Sequence, residues 1–151
     1  MSELPQEILP DNTSRVIVEL SSANEWREAS VVLRTLRPTL NADQFVSRRE
    51  QLSREGYRLL GVRDADKLAS IASYTISPHA IHGRELLIHD MATLPPLQGR
   101  GFASQLLEAI AEIARRNGCG RVFVHTRKAQ ELYTKNGFQP YSSGMILPLD
   151  G

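Results

Sequence analysis

The stretch Thr93-Leu-Pro-Pro-Leu-Gln-Gly-Arg-Gly-Phe-Ala-Ser104 holds the chain's strongest anion-binding chemistry. A strand runs into two prolines, two glycines flank an arginine, and a helix begins. Without a Cβ, Gly99 and Gly101 let backbone N–H groups turn toward a ligand and lie close against it. The helix start at Phe102, Ala103 and Ser104 adds unpaired N–H donors and the positive end of a dipole, which favour an anion. Arg100 brings a guanidinium and Ser104 a hydroxyl to the same place. Residues 98–104 therefore read as a diphosphate cradle. Two familiar phosphate motifs are absent. Ser104 stands where the third glycine of G-x-G-x-x-G belongs, and no Gly-Lys pair occurs for a P-loop.

The strand before the cradle carries Glu85, His89 and Asp90. Strict alternation puts His89 with Met91 on one face and Asp90 with Ile88 and Ala92 on the other. Adjacent strand residues point apart and no third ligand accompanies them, so no metal is expected. Cys119 lies between Gly118 and Gly120 just past a helix end, without the helix N-terminus or basic partner that activates a thiol, and reads as a small packing residue.

The frame for these groups is predicted from periodicity and breakers. Residues 1–14, with Pro5 and Pro10, read as a loose arm and residues 15–151 as a single domain. Residues 15–20 form a β-branched strand, 24–36 a helix with Trp26, Ala29, Val32, Leu33 and Leu36 inward, and 43–55 a polar helix with a thin apolar face. That thin face suits a helix lying over an opening. Strands at 57–62, 68–76 and 85–93 follow, joined by turns at 64–67 and 78–83, and should pair antiparallel. Residues 102–117 form a strong amphipathic helix closed by Asn117-Gly118, 121–125 a strand parallel to the one before the cradle, and 128–136 a short helix. Residues 138–149 read as a hairpin around Ser142-Ser-Gly144. The fold class is α+β with a mixed sheet.

Composition narrows the function. The chain has 151 residues, 41% hydrophobic, with Lys+Arg 18 against Asp+Glu 17, so charge gives no pull toward nucleic acid or an anionic membrane. One cysteine excludes an internal disulfide. No apolar run approaches the roughly 18 residues of a membrane span, and the N-terminus lacks the basic start and long apolar run of a signal peptide. A soluble cytoplasmic protein is expected.

Gln98-Gly-Arg-Gly101-Phe-Ala103 resembles the [Q/R]-x-x-G-x-[G/A] motif of the GNAT superfamily of acyl-CoA-dependent N-acyltransferases. Ala129-Gln-Glu-Leu-Tyr133-Thr-Lys-Asn-Gly137-Phe138 is similar to that family's A-x-x-L/F-Y-x-x-x-G-F segment, and the element order fits from Arg15 onward. The resemblance implies splayed central strands whose gap takes the pantetheine arm of acetyl-CoA. Met91, Ala92 and Thr93 would hold pantetheine, and Gln98 to Ser104 the pyrophosphate. Thr126 stands where the family often has asparagine.

An amine attacking a thioester must lose a proton, the oxyanion needs N–H donors, and the leaving thiolate (pKa about 8.5) needs an acid. By its motif position Tyr133, with an ordinary pKa of about 10, is the expected acid. Of Glu85, His89 and Asp90, Asp90 is favoured as base; Trp26 and Phe45 read by default as core, or else as walls of the acceptor pocket that the first helices and the residue 77–84 turn would build. The resemblance thus implies acetyl transfer from acetyl-CoA to a primary amine of a small molecule or peptide in a ternary complex, without metal. A non-catalytic acyl-CoA sensor or accessory domain is the alternative that Thr126 favours. The open sheet edge makes a homodimer an expectation as well.

Overall fold

A computed structural model describes residues 14–126, 130–141, 145 and 147–149. Its elements are β1 (Arg15–Glu19), α1 (Ala23–Leu33), α2 (Ala42–Ser47), α3 (Arg49–Arg54), β2 (Arg58–Asp64), β3 (Lys67–His79) and β4 (Gly83–Thr93). A 3₁₀ turn (Pro95–Leu97), α4 (Phe102–Arg116), β5 (Arg121–Val124) and α5 (Gln130–Lys135) follow. The five strands form one sheet in the order β1-β2-β3-β4-β5. The first three pairings are antiparallel, and β4–β5, joined through α4, is parallel. The expected α+β mixed sheet is borne out.

Each face of the sheet has its own core. On one side, Leu106, Leu107 and Ile110 of α4 pack on Leu60, Val62, Leu86 and Ile88, with Tyr133 of α5 at the margin. On the other, Trp26, Ala29, Val32 and Leu33 of α1 pack with Phe45 on Leu59, Leu68, Ile71 and Ala92. The local signals for these helices are sharp. Ser22 caps α1 in a capping box with Glu25: its side chain accepts from the Glu25 N–H, and the Glu25 carboxylate accepts from the Ser22 N–H at 2.9 Å. At the end of α4, Gly118 (φ +69°) lets the Cys119 N–H donate to Ala114 O at 2.9 Å, a Schellman closure.

Three expectations change. α1 stops at Leu33, leaving Leu36 half exposed at 48%. The Thr35 hydroxyl donates to Val32 O at 2.7 Å, a local alternative to continued helix. The helix expected over residues 43–55 is two short helices meeting at Arg48. Of the hairpin expected over residues 138–149, the described residues are not in strand, and its turn at Ser142 to Gly144 lies outside the described residues, as do residues 1–13 of the arm. Among the described residues no helix is long and apolar enough to cross a membrane.

Leu106 is fully buried in the first turns of α4 and anchors the helix that follows the cradle. Leu106→Ala is expected to cost about 2–5 kcal/mol, read from the shift of the urea midpoint at constant slope. A shift worth less than about 1 kcal/mol would contradict this packing.

Candidate active site

Strands β4 and β5 run side by side only over Glu85–Ile88 and Arg121–Val124. At the start of this pairing the Glu85 carboxylate accepts from the Arg121 guanidinium, fastening the strands at that end. Beyond Ile88, β4 continues to Thr93 along β3 with no strand on its other side among the described residues. His125 and Thr126 follow β5 outside any strand. A gap therefore opens at the carboxyl ends of a parallel pair, a position where α/β sheets commonly receive ligands.

The cradle begins where β4 ends. Gly99 and Gly101 have φ of +78° and +87°, the left-handed region that a side chain resists, and a Cβ on Gly99 would meet nothing within 4 Å. Backbone conformation, not crowding, demands glycine there. Gly101 is the N-cap of α4 and no side chain caps the helix. Among the described residues, the N–H groups of residues 99–104 donate no hydrogen bond outside the helix. Gln98, Gly99, Arg100 and Gly101 are exposed. Uncommitted amides at the positive end of a 15-residue helix suit a pyrophosphate. Gln98 folds back, its Nε2 donating to Thr93 O at 3.2 Å, which ties the turn to the strand.

Two braces were not evident in the sequence. Arg15, at the start of β1, donates from Nη1 to Arg100 O at 2.8 Å and to Gln105 Oε1 at 3.1 Å, and its guanidinium lies 3.9 Å from the Phe102 ring centroid. Asn136 donates from Nδ2 to Ser104 Oγ at 3.2 Å and to Leu132 O at 2.8 Å, joining the first turn of α4 to α5. The only available signal for Asn136 was its place within the second motif; the Ala129 of that motif lies outside the described residues.

Tyr133 is 8% exposed, with its ring edge-on to Phe138 and its Oη 4.0 Å from Met91 Sδ. The phenol thus adjoins the part of β4 that has no β5 partner. Burial pushes its pKa up, so it holds its proton across neutral pH.

The faces of His89 and Asp90 require a correction. The β3–β4 register slips between Ser73, opposite Asp90, and Tyr74, opposite Ile88, so His89 is the extra residue of a β-bulge. Alternation is interrupted there. Ile88 packs against α4, while His89 and Asp90 both turn toward the α1–α3 side. His89 Nε2 lies 2.8 Å from Thr75 Oγ1, and its ring stacks on Tyr57 at 5.7 Å. Desolvation there holds its pKa below the usual histidine value, against the opposing pull of Asp90. Asp90, with a side chain 12% exposed, receives Arg37 Nε at 2.7 Å and Nη2 at 2.6 Å, both on Oδ1. Glu85 is committed to Arg121 instead.

Beside Asp90, a cavity of about 160 Å³ opens between the end of α1, the α2–α3 pair and Tyr57. Phe45 lines it; Trp26 lies behind, stacked on Phe45 at 4.8 Å, and is core. The residue 77–84 turn lies at the opposite end of β4 and contributes nothing to this lining. The α2–α3 pair does lie over an opening, as its thin apolar face predicted.

If Arg15 braces the cradle as described, Arg15→Met should raise hydrogen exchange of the Gln105 amide, which donates to Gly101 O at 3.1 Å, by on the order of tenfold and leave β3 amides unchanged. Unaltered exchange in that turn would contradict the brace.

The chain matches a family model described as the acetyltransferase (GNAT) family over residues 23–138. It is 28% identical over 127 residues to the N-acetyltransferase YhdJ of Bacillus subtilis (strain 168), covering 80% of this chain and 89% of that one. It is also 29% identical over 150 residues to the amino-acid acetyltransferase of Edwardsiella ictaluri (strain 93-146), covering 95% of this chain but 33% of that longer protein. Among solved structures, a Trypanosoma brucei acetyltransferase has a TM-score of 0.76 at 22% identity, covering 89% of this chain and 99% of that one. The aminoglycoside N-acetyltransferase AAC(6')-Iy in complex with CoA has a TM-score of 0.79 at 15% identity, covering 93% and 98%. These two structural likenesses speak for the fold alone. The family match spans most of the chain, including both motifs and the strands that frame the gap, and the chain therefore belongs to the GNAT family of acetyltransferases and is an acyltransferase.

Proposed function

We propose that the protein moves an acetyl group from acetyl-CoA to a primary amine of a small molecule or peptide by direct attack within a ternary complex. The observation that carries this reading is the arrangement around the free end of β4. The cradle and Tyr133 lie beside Met91 to Thr93, while from the same strand Asp90 lines a separate cavity and His89 stacks on Tyr57, a wall of that cavity. Acetyl-CoA, when bound, supplies the thioester. In this reading residues 98–104 hold its pyrophosphate through backbone amides, Met91, Ala92 and Thr93 pair with the pantetheine amides as a neighbouring strand would, and Thr126 lines the far side of the gap.

Each proton then has an assigned carrier. Asp90, whose charge Arg37 already offsets, keeps Oδ2 for the incoming ammonium. The neighbouring imidazole of His89, neutral at pH 7, takes the amine proton. The amine nitrogen bonds to the acetyl carbon and the carbon–sulfur bond breaks; Tyr133 donates its hydroxyl proton to the thiolate and regains one from the second proton that the new amide nitrogen sheds, while His89 returns the first to solvent. The Asp90 role expected from sequence thus becomes orientation of the amine, with His89 as the base. The bulge supports this division because it turns both side chains toward the α1–α3 side, with Asp90 on the cavity and His89 beside its Tyr57 wall.

Thiol release from acetyl-CoA across an amine panel tests the reading, and no release despite proven coenzyme A binding would overturn it. Tyr133→Phe is expected to lower kcat by about 10²–10⁴-fold while coenzyme A affinity, measured by calorimetry, stays within about twofold. Because His89 is neutral when active and its pKa is lowered, kcat/KM should hold through neutral pH and fall only below about pH 6.5. His89→Gln should remove that acid limb together with about 10²-fold of kcat, whereas Asp90→Asn should act mainly on the amine KM. An unchanged acid limb in His89→Gln would rule out His89 as the base.

A further inference from the structure

Three charged side chains line the cavity beside β4: Arg37, Arg48 and Asp90. Two of them are paired, with both Arg37 contacts on Asp90 Oδ1 and Asp90 Oδ2 left over. Arg48 is different. It sits at the junction where α2 ends and α3 begins, and its backbone N–H is used for the helix end. Among the described residues its guanidinium has no hydrogen bond or ion pair, whereas neighbouring Arg49 donates to Ser21 O at 2.8 Å and Arg27 is paired with Asp43 at 3.0 Å. The remaining wall is mostly apolar, with Leu33, Leu40, Phe45, Leu52 and the Tyr57 ring, and adds the side-chain amides of Asn41 and Gln44. The cavity therefore presents an ammonium site at Asp90, an apolar middle, and an excess positive charge at Arg48.

Resting on the acetyl-transfer reading, we infer that the acceptor is a small amine that also carries an acidic group, a carboxylate or phosphate, held by Arg48 across the cavity from Asp90. A guanidinium offers a planar fork that matches either anion with two hydrogen bonds. A polyamine or polycationic sugar is the wrong partner. Its extra ammonium groups would meet Arg48 and Arg37, with the lining's single carboxylate already offset. The break between α2 and α3 has a use in this account, because it sets a cationic residue at the rim of a cavity whose helices otherwise offer apolar and amide side chains.

The test uses the full chain with acetyl-CoA and matched acceptors: amino acids of graded size, aminoalkyl phosphates, the same compounds lacking the acidic group, and spermidine. At least one acid-bearing amine should exceed its acid-free counterpart in kcat/KM by on the order of tenfold or more, and whether carboxylate or phosphate prevails identifies the acid. In Arg48→Gln that preference should collapse to within about twofold. The N-acetylated product of the preferred acid, which cannot react, should also raise the Tm of the wild-type protein and not of Arg48→Gln. Preference for spermidine or for acid-free amines, or a preference that survives Arg48→Gln, would overturn this inference alone. No thiol release with any amine would overturn the transfer reading and this inference with it.

Discussion

Among the described residues, strand β4 is paired on both sides from Glu85 to Ile88 and on one side beyond it. The rest of the site depends on that asymmetry. The Glu85–Arg121 pair fastens β4 to β5 at one end, and β5 ends at Val124. From His89 to Thr93 the edge that β5 has left still carries peptide groups that need partners. An extended ligand can supply them as a strand would. The same strand leads directly into the glycine turn, so the free edge and the anion site form one continuous surface. The buried face of α4 holds that surface against the sheet, and Arg15 and Asn136 hold the turn from β1 and α5.

One bulge lets a single strand present side chains to two different surroundings. Met91 looks toward Tyr133 and the α4 side, while on the α1–α3 side Asp90 lines the cavity under α2 and α3 and His89 stacks on its Tyr57 wall. With unbroken alternation, one of His89 and Asp90 would point away from that side. The extra residue delivers both there while leaving Ile88 and Ala92 to their separate cores. The placement of these two side chains thus comes from a register slip rather than from an unusual residue.

What could be read from the sequence was local. The glycine turn, the uncapped helix start and the apolar stripe of α4 depend on residues within one or two turns of each other, and the structure has them where periodicity put them. The strand order followed from short turns and a single helix crossover. The bulge was not legible, because it is defined by which β3 residue stands opposite Asp90. Arg15 was not legible as a brace, because its partner Arg100 is 85 residues away. The break at Arg48 was hidden inside an apparently continuous helical pattern, and Leu36 looked inward only because α1 was expected to run on past Leu33. Tyr133 was legible through its motif, but its contact with Met91 required the fold.

In the acetyl-transfer reading, the amides of residues 99–104 bind the linked phosphates of coenzyme A. Amide NMR during titration with coenzyme A tests it most directly, with desulfated and dephosphorylated fragments locating which part of the ligand acts. The account predicts that the N–H resonances of Gly99, Arg100, Gly101, Phe102, Ala103 and Ser104 move the most and downfield, and that pyrophosphate-containing fragments reproduce the shifts. Saturable binding that leaves these six resonances in place while others move would contradict it.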